Sequence, residues 1–195
     1  MMAQPDETTD MLIARCLQGD QAGYAQLYEL YAPAIYRLCY SLLLNRQDAE
    51  DVMQEAFVYA FRCLHRYDPA RASFKTWLYT IALSRCRNVY RRKHSLLSLL
   101  LAPDVPAPKS DGPEAALSKK DAQAALEAAL KSLSPPLRES VILRYGHGLT
   151  YREMAAVIGC PQKTAESRVR LAHDRLRKLL QAEWIVEEWI GFEVV

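Results

Sequence analysis

The stretch that decides the fold is residues 149–180, LTYREMAAVIGCPQKTAESRVRLAHDRLRKLL. Thr150 and Glu153 give the T-x-x-E pattern of a capping box, which predicts the start of a short helix. Gly159 predicts a tight turn with a left-handed backbone, because glycine adopts that conformation without a Cβ clash. Pro161 suits the start of a second, longer helix.

The second helix carries an apolar stripe at spacings of four, three, four and three residues, which predicts that this face packs on the core. The stripe consists of Ala165, Val169, Ala172, Leu176 and Leu179. The opposite face is mostly charged, and the small residues Ala155 and Gly159 let the two helices cross closely. This pattern predicts a helix-turn-helix over residues 150–180, with its second helix in the major groove of DNA. The alternative is a solvated basic face on an ordinary helical hairpin.

Two further strings lie upstream of this motif. Residues 48–57, DAEDVMQEAF, hold four carboxylates and no cation, which favours a surface for a basic or mixed protein partner; the alternative is a solvated helix start. In residues 67–93, aromatic side chains are interleaved with cations, a combination typical of single-strand binding. For Trp77, Ile81 and Tyr90 the alternative is a stripe that packs in the core.

The rest of the chain predicts an all-α fold of two small helical domains joined by a Pro-rich linker. No segment alternates with period two, so no strand is expected. In the first domain we expect a helix with a break or kink at Pro33, a second from about Gln47, and a third over residues 74–92. Four prolines between residues 103 and 113 predict an extended linker.

Charge is distributed unevenly along the chain. Residues 116–180 carry 12 basic and 6 acidic side chains, whereas residues 181–195 carry four acidic and no basic ones. A basic segment beside an acidic tail indicates a polyanionic partner.

Several classes of protein are disfavoured by the composition. The start of the chain is acidic and lacks the apolar run of a signal peptide, so we expect a cytoplasmic protein. The five cysteines form no CxxC pair and are expected to be reduced thiols in the core. No metal-ligand spacing, Gly-rich phosphate loop or nucleophile arrangement is found, so we expect no enzyme activity, no catalytic residue, no metal and no cofactor.

Three strings in this order, QDAEDVMQEAF, SFKTWLYTIA and the helix-turn-helix, closely resemble those of a bacterial RNA polymerase sigma factor of the extracytoplasmic-function (ECF) type, in the sigma-70 family. The resemblance covers about residues 20–180. It implies sigma domain 2 in residues 1–94, a linker in 95–114, sigma domain 4 in 115–180 and an additional acidic aromatic tail in 181–195. It also implies transcription initiation at specific promoters, under the control of an anti-sigma factor.

The resemblance also implies partners for each domain. Domain 2 would bind the β′ clamp helices of the polymerase core through Asp48, Glu50, Asp51, Gln54, Glu55 and Phe57. It would recognise and melt the minus-ten element through Tyr67, Arg71, Phe74, Lys75, Trp77, Tyr79, Ser84, Arg85, Asn88 and Arg91. Domain 4 would contact the β flap, and it would read the minus-thirty-five element through Arg152, Lys163, Thr164, Glu166, Ser167, Arg168, Arg170 and Arg175. No direct membrane insertion is expected.

Some residues depart from the family pattern. Ser84 replaces a frequent asparagine, Ala165 a usual valine, and Glu166 and Leu171 stand where basic residues are frequent. These changes affect the promoter sequence more than the activity class, and Glu166 could accept a hydrogen bond from a cytosine amine. For the tail, the alternatives are packing on domain 4 and docking on a partner or on the chain itself. The alternative function is a stand-alone helix-turn-helix transcriptional regulator.

Overall fold

The computed structural model describes the backbone of residues 5–100 and 119–180, and the side chains of residues 8–93 and 124–180. Within these ranges the chain is helical and contains no β-strand. The prediction of an all-α fold is therefore confirmed. No helix in the same ranges is long and apolar enough to cross a membrane.

Four α-helices form the first domain. They are α1 (Pro5–Leu17), α2 (Gln21–Leu43), α3 (Arg46–Arg62) and α4 (Phe74–Leu100), with a short 3-10 turn at Leu64–Arg66 before α4. The side chains of Asp20 and Asn45 accept hydrogen bonds from backbone N–H groups in the first turns of α2 and α3. Each cap satisfies a donor that the helix itself leaves free, and thereby fixes where the helix begins.

A break or kink was expected at Pro33; helix α2 runs through Pro33 without interruption, so the break is absent. Pro33 lies on the exposed face, whereas Leu27, Ile35 and Leu38 are fully buried. Burial of those three side chains outweighs the cost of a proline inside a helix, which is about 3 kcal/mol.

Helix α4 is longer than predicted and continues past Arg92 to Leu100. Residues 96–100, LLSLL, are mostly good helix formers and contain no glycine or proline, so no signal ends the helix earlier. The first residues of the predicted linker are therefore helical. Its proline-rich part lies outside the described residues.

The second domain holds the helix-turn-helix. Its elements are α5 (Lys119–Ser132), α6 (Pro135–Val141), a π-helical turn (Ile142–Gly146), α7 (Tyr151–Ile158) and α8 (Gln162–Leu180). The capping box of Thr150 and Glu153 is formed at the start of α7. Gly159 ends α7 with a φ of 77°, in the left-handed region. Both predictions for this turn are confirmed.

The apolar stripe of α8 packs on the core as predicted, with one exception. Ala165, Val169, Ala172 and Leu176 are buried, but Leu179 is 53% exposed. The prediction for Leu179 is wrong because no described helix of the domain covers the last turn of α8 on that side.

One continuous hydrophobic core joins the two domains in this conformation. Helix α4 of the first domain packs on α7 of the second, and α2 packs on the π-helical turn. All five cysteines are free: Cys16, Cys39 and Cys86 are buried in the core, as predicted, while Cys63 and Cys160 are half-buried.

Candidate nucleic-acid and polymerase interface

Helix α8 presents a basic face to solvent. Lys163, Ser167, Arg170 and Arg175 are exposed, and Arg152 is exposed on the neighbouring α7. Of the other sequence candidates, Thr164, Glu166 and Arg168 are half-buried, and the Glu166 carboxylate accepts a hydrogen bond from Gln162 at 2.9 Å. Arg152, Lys163, Arg170 and Arg175 form no ion pair with a described residue. Unpaired cations on a rigid helix are available to bind phosphates.

The aromatic residues at the start of α4 form a cluster rather than an open row. Tyr67 lies with its ring centroid 5.5 Å from Phe74 and 5.4 Å from Trp77. Phe74 is only 2% exposed and Tyr79 only 1% exposed, so neither side chain can contact DNA directly in this conformation. They support the helix from the core, while Tyr67 and Trp77 are half-buried and keep part of their rings at the surface.

The polar candidates on α4 are better exposed. Arg71, Ser84 and Arg91 are exposed, and Lys75, Arg85 and Asn88 are half-buried. Arg85 also lies over the ring of Tyr59, 4.8 Å from its centroid, and 4.0 Å from a carboxylate oxygen of Glu55. The acidic string on α3 and the aromatic-basic string on α4 therefore lie against each other.

The acidic string on α3 is partly neutralised by neighbouring cations. Asp48 pairs with Lys93, and Glu50 pairs with Arg46 at 2.9 Å. Asp51, Gln54 and Glu55 are exposed.

Phe57 is buried, 2% exposed, with its ring centroid 4.7 Å from that of Tyr28. Phe57 is therefore too buried to contact a partner, and only the exposed polar residues of the same helix can do so. Phe57 instead holds α3 against α2.

An ion pair between the two domains was not anticipated from the sequence. Arg87 of α4 donates to both carboxylate oxygens of Glu139 on α6, at 2.8 and 2.6 Å. The side chain of Glu139 is 8% exposed, and Arg87 also approaches the carbonyl oxygen of Ile158 at the end of α7. The hydrogen bonds raise the pKa of Arg87. The partners are 52 residues apart, so no local pattern could indicate the pair.

A second polar contact also joins the two domains. The hydroxyl group of Tyr79 lies 3.0 Å from Nδ1 of His147. Burial raises the pKa of Tyr79 to about 12. Burial, followed by the positive charges of Arg37 and Lys75, lowers the pKa of His147 to about 4. His147 is therefore neutral in the packed arrangement at neutral pH.

This shift predicts that the packed arrangement weakens in mild acid. When the domains separate or unfold, His147 regains a pKa near 6.5 and binds a proton that the packed form excludes, so stability falls as pH drops from about 6.5 towards 4. At pH 5.5 the loss is about 1.4 kcal/mol relative to pH 7.5. Urea unfolding at both pH values measures it. A His147→Gln variant should lose this pH dependence, whereas a His65→Gln variant, changed at an exposed histidine, should keep it. If the free energy of unfolding changes equally with pH in the two variants, His147 is not the cause.

Candidates from the minus-ten and minus-thirty-five sets are brought together in this conformation. Ser84 and Arg91 of α4 and Arg168 of α8 line the same groove between the domains. None of the other minus-thirty-five candidates lines this groove.

Comparison with known proteins accounts for both domains. Residues 27–95 match the family described as Sigma-70 region 2, and residues 123–176 match the family described as Sigma-70, region 4. The first match contains the acidic and the aromatic-basic strings, and the second contains most of the helix-turn-helix.

Relatives that match most of this chain decide the family. The chain is 31% identical over 184 residues to the RNA polymerase sigma-H factor of Pseudomonas aeruginosa, covering 90% of this chain and 95% of that protein. It is 35% identical over 168 residues to the ECF RNA polymerase sigma factor SigE of Mycolicibacterium smegmatis, covering 83% of this chain and 64% of that protein. The chain belongs to the ECF sigma factors of the sigma-70 family. This sigma factor is thus distinguished from a stand-alone helix-turn-helix regulator by its region 2.

Solved sigma factor structures have the same architecture. The structure of CnrH in complex with the cytosolic domain of CnrY matches this sigma factor with a TM-score of 0.68 and 28% identity, covering 90% of this chain and 99% of that one. The sigma factor RpoE of Bartonella quintana, in complex with the anti-sigma factor NepR, matches with a TM-score of 0.65 and 26% identity, covering 82% and 98%.

Proposed function

We propose that this sigma factor directs core RNA polymerase to its promoters through three surfaces, one for each sequence string. The observation that carries the proposal is that a single chain combines an exposed basic recognition helix with an aromatic-basic helix packed beside an acidic helix. A duplex reader needs only the first of these surfaces. A protein that also opens DNA with polymerase needs all three.

We assign recognition of the minus-thirty-five element to the exposed face of α8. The first turns of the helix, with Lys163, Glu166 and Ser167, would lie near base edges, and Arg170 and Arg175 would bind phosphates. Arg152, Thr164 and Arg168 complete the set. Glu166 would accept a hydrogen bond from a cytosine amine and so set an unusual base preference.

The minus-ten element is assigned to the exposed polar side of α4 and the aromatic cluster at its start. Tyr67 and Trp77 offer partly exposed rings on which an unpaired base can stack. The polar set consists of Arg71, Lys75, Ser84, Arg85, Asn88 and Arg91. Phe74 and Tyr79 act only by supporting these residues from the core.

We assign binding of the polymerase core to the exposed acidic side of α3. There Asp51, Gln54 and Glu55 lie beside Asp48 and Glu50. The protein acts in the cytoplasm, and it binds an anti-sigma factor, as does the similar sigma factor bound to NepR. It catalyses no reaction of its own and needs no cofactor.

Charge reversal on α3 tests the assignment to polymerase. We expect the purified protein to bind core polymerase and to displace another sigma factor from it. Asp51→Lys combined with Glu55→Lys should weaken this binding at least tenfold, because like charges then face a basic partner. The matched control, Glu29→Lys combined with Asp10→Lys at exposed acidic positions on α2 and α1, should bind normally. A protein that binds only the complete holoenzyme would be a regulator instead.

A further inference from the structure

A groove lies between the two domains of this sigma factor. Its volume is about 580 Å³, which is within the range of clefts that enclose drug-sized ligands, roughly 300–1,000 Å³. Leu42, Leu43 and Leu83 give it an apolar lining, together with Pro135 and Pro136 at the start of α6. We call this feature the interdomain groove.

The interdomain groove is strongly basic. Four arginines and one glutamate line it: Arg87, Arg91, Arg138, Arg168 and Glu139. Arg87 is paired with Glu139, and Arg138 donates to the backbone carbonyl oxygen of Leu130 at 2.7 Å. Arg91 and Arg168 form no ion pair with any described residue. The groove therefore combines an apolar lining with two cations that have no anionic partner within the described part of the chain.

The chain itself contains a segment of matching chemistry. Residues 181–195, QAEWIVEEWIGFEVV, lie outside the described residues; they hold four acidic and no basic side chains, and two of the three tryptophans of the protein. The segment follows α8 directly. Arg168 lies twelve residues before Leu180, which is about 18 Å along a helix, and fifteen extended residues span roughly 50 Å. The tail is thus long enough to return to the groove.

We propose that residues 181–195 dock in the interdomain groove of their own chain. The aromatic side chains bind the apolar lining and the carboxylates pair with Arg91 and Arg168. Docking within one chain is favoured by a high effective concentration, which reaches the millimolar range for short flexible connections. The docked tail covers Ser84, Arg91 and Arg168. The consequence, reduced binding of promoter DNA by the free protein, rests on the proposed function, whereas the docking does not.

A competing site for the tail lies on α8. Leu171 and Leu179 are 47% and 53% exposed and share one face of the helix. Neither leucine lines the groove, which offers a cleft of about 580 Å³ and two arginines, Arg91 and Arg168, that form no ion pair with a described residue. These features favour the groove, and the two sites give different results in the experiment below.

A natural cysteine reports on occupation of the groove. Cys160 lines the groove, is free and is half-buried, while Cys63 is equally free and half-buried but lies elsewhere. Alkylation with N-ethylmaleimide, followed by peptide mass spectrometry, compares the full chain with a chain ending at Gln181. We expect Cys160 to react several-fold faster in the shortened chain and Cys63 to react equally in both. Equal rates at Cys160 overturn the proposal, and point to the Leu171 and Leu179 face or to another occupant of the groove.

Two pairs of charge reversals test the ionic part of the proposal in the full chain. Arg91→Glu combined with Arg168→Glu removes the unpaired cations of the groove and should expose Cys160 as truncation does. Arg92→Glu combined with Arg170→Glu makes the same charge change at exposed positions on the same two helices, outside the groove. This control should leave Cys160 protected. The proposal is overturned if Cys160 becomes reactive in both double variants, or if it stays protected in both.

Binding to DNA separates the docking from its consequence. The chain ending at Gln181 should bind promoter DNA more tightly than the full chain in a fluorescence titration without polymerase. Unchanged or weaker binding contradicts inhibition by the tail. If Cys160 is nevertheless protected only in the full chain, the docking stands and the assignment of groove residues to DNA fails.

Discussion

Replacing Arg87 with methionine is expected to destabilise the packed two-domain arrangement by about 2–3 kcal/mol. The change leaves the carboxylate of Glu139, whose side chain is 8% exposed, without the guanidinium group that now donates to both of its oxygens. A buried charge without a partner costs several kcal/mol, and the effect lies at the lower end because the Arg87 side chain is 38% exposed. Faster hydrogen–deuterium exchange in α6 and α7 would measure it.

Two further variants separate the ion pair from a general effect of mutation. Arg92→Met removes an exposed cation from the same helix and should leave the exchange unchanged. Arg87→Met combined with Glu139→Met should recover most of the loss, because an apolar pair can replace a buried ion pair. If Arg87→Met has no larger effect than Arg92→Met, the ion pair does not hold the domains together.

Replacing Arg170 with alanine should reduce transcription from the protein's own promoters by roughly tenfold or more at limiting holoenzyme, since a hydrogen bond between charged groups, such as arginine and phosphate, contributes about 1.5–3 kcal/mol. Arg170 is exposed on α8 and has no ion-pair partner among the described residues, so its charge is available to the duplex. Quantitative run-off transcription measures the loss. Binding to core polymerase should be normal.

Lys131→Ala is the matched control, because it removes an exposed cation from α5, outside the helix-turn-helix. It should transcribe at the normal rate. Glu166→Ala gives a different result: it should relax the preference for one base in the minus-thirty-five element more than it lowers the total yield. A normal yield from Arg170→Ala would remove that residue from the DNA interface.

Local signals in the sequence were sufficient for most of the fold. The capping box at Thr150, the left-handed turn at Gly159 and the buried stripe of α8 each depend on neighbours within one or two helical turns. The errors have equally clear causes. Helix α2 continues through Pro33 because burial on its other face outweighs the local cost, and α4 passes Arg92 because nothing stops it.

At the candidate site, the sequence did not determine which side chains are buried. Phe57, Phe74 and Tyr79 lie in acidic or basic strings, and their types suit a binding surface, yet all three are in the core. The helical spacing allowed either orientation, and only packing against α2 and the second domain decides it. Contacts between distant segments, such as Arg87 with Glu139, leave no local pattern and require the three-dimensional structure.

Transcription in a defined system tests the central claim most directly. The purified protein and core polymerase, with no other sigma factor, are incubated with fragmented genomic DNA of the source organism, and the 5′ ends of the transcripts are sequenced. We predict discrete start sites that share two upstream elements, centred about ten and thirty-five base pairs before the start, and that disappear when either the protein or core polymerase is omitted. Transcripts that appear only after another sigma factor is added would contradict the account and identify the protein as a regulator.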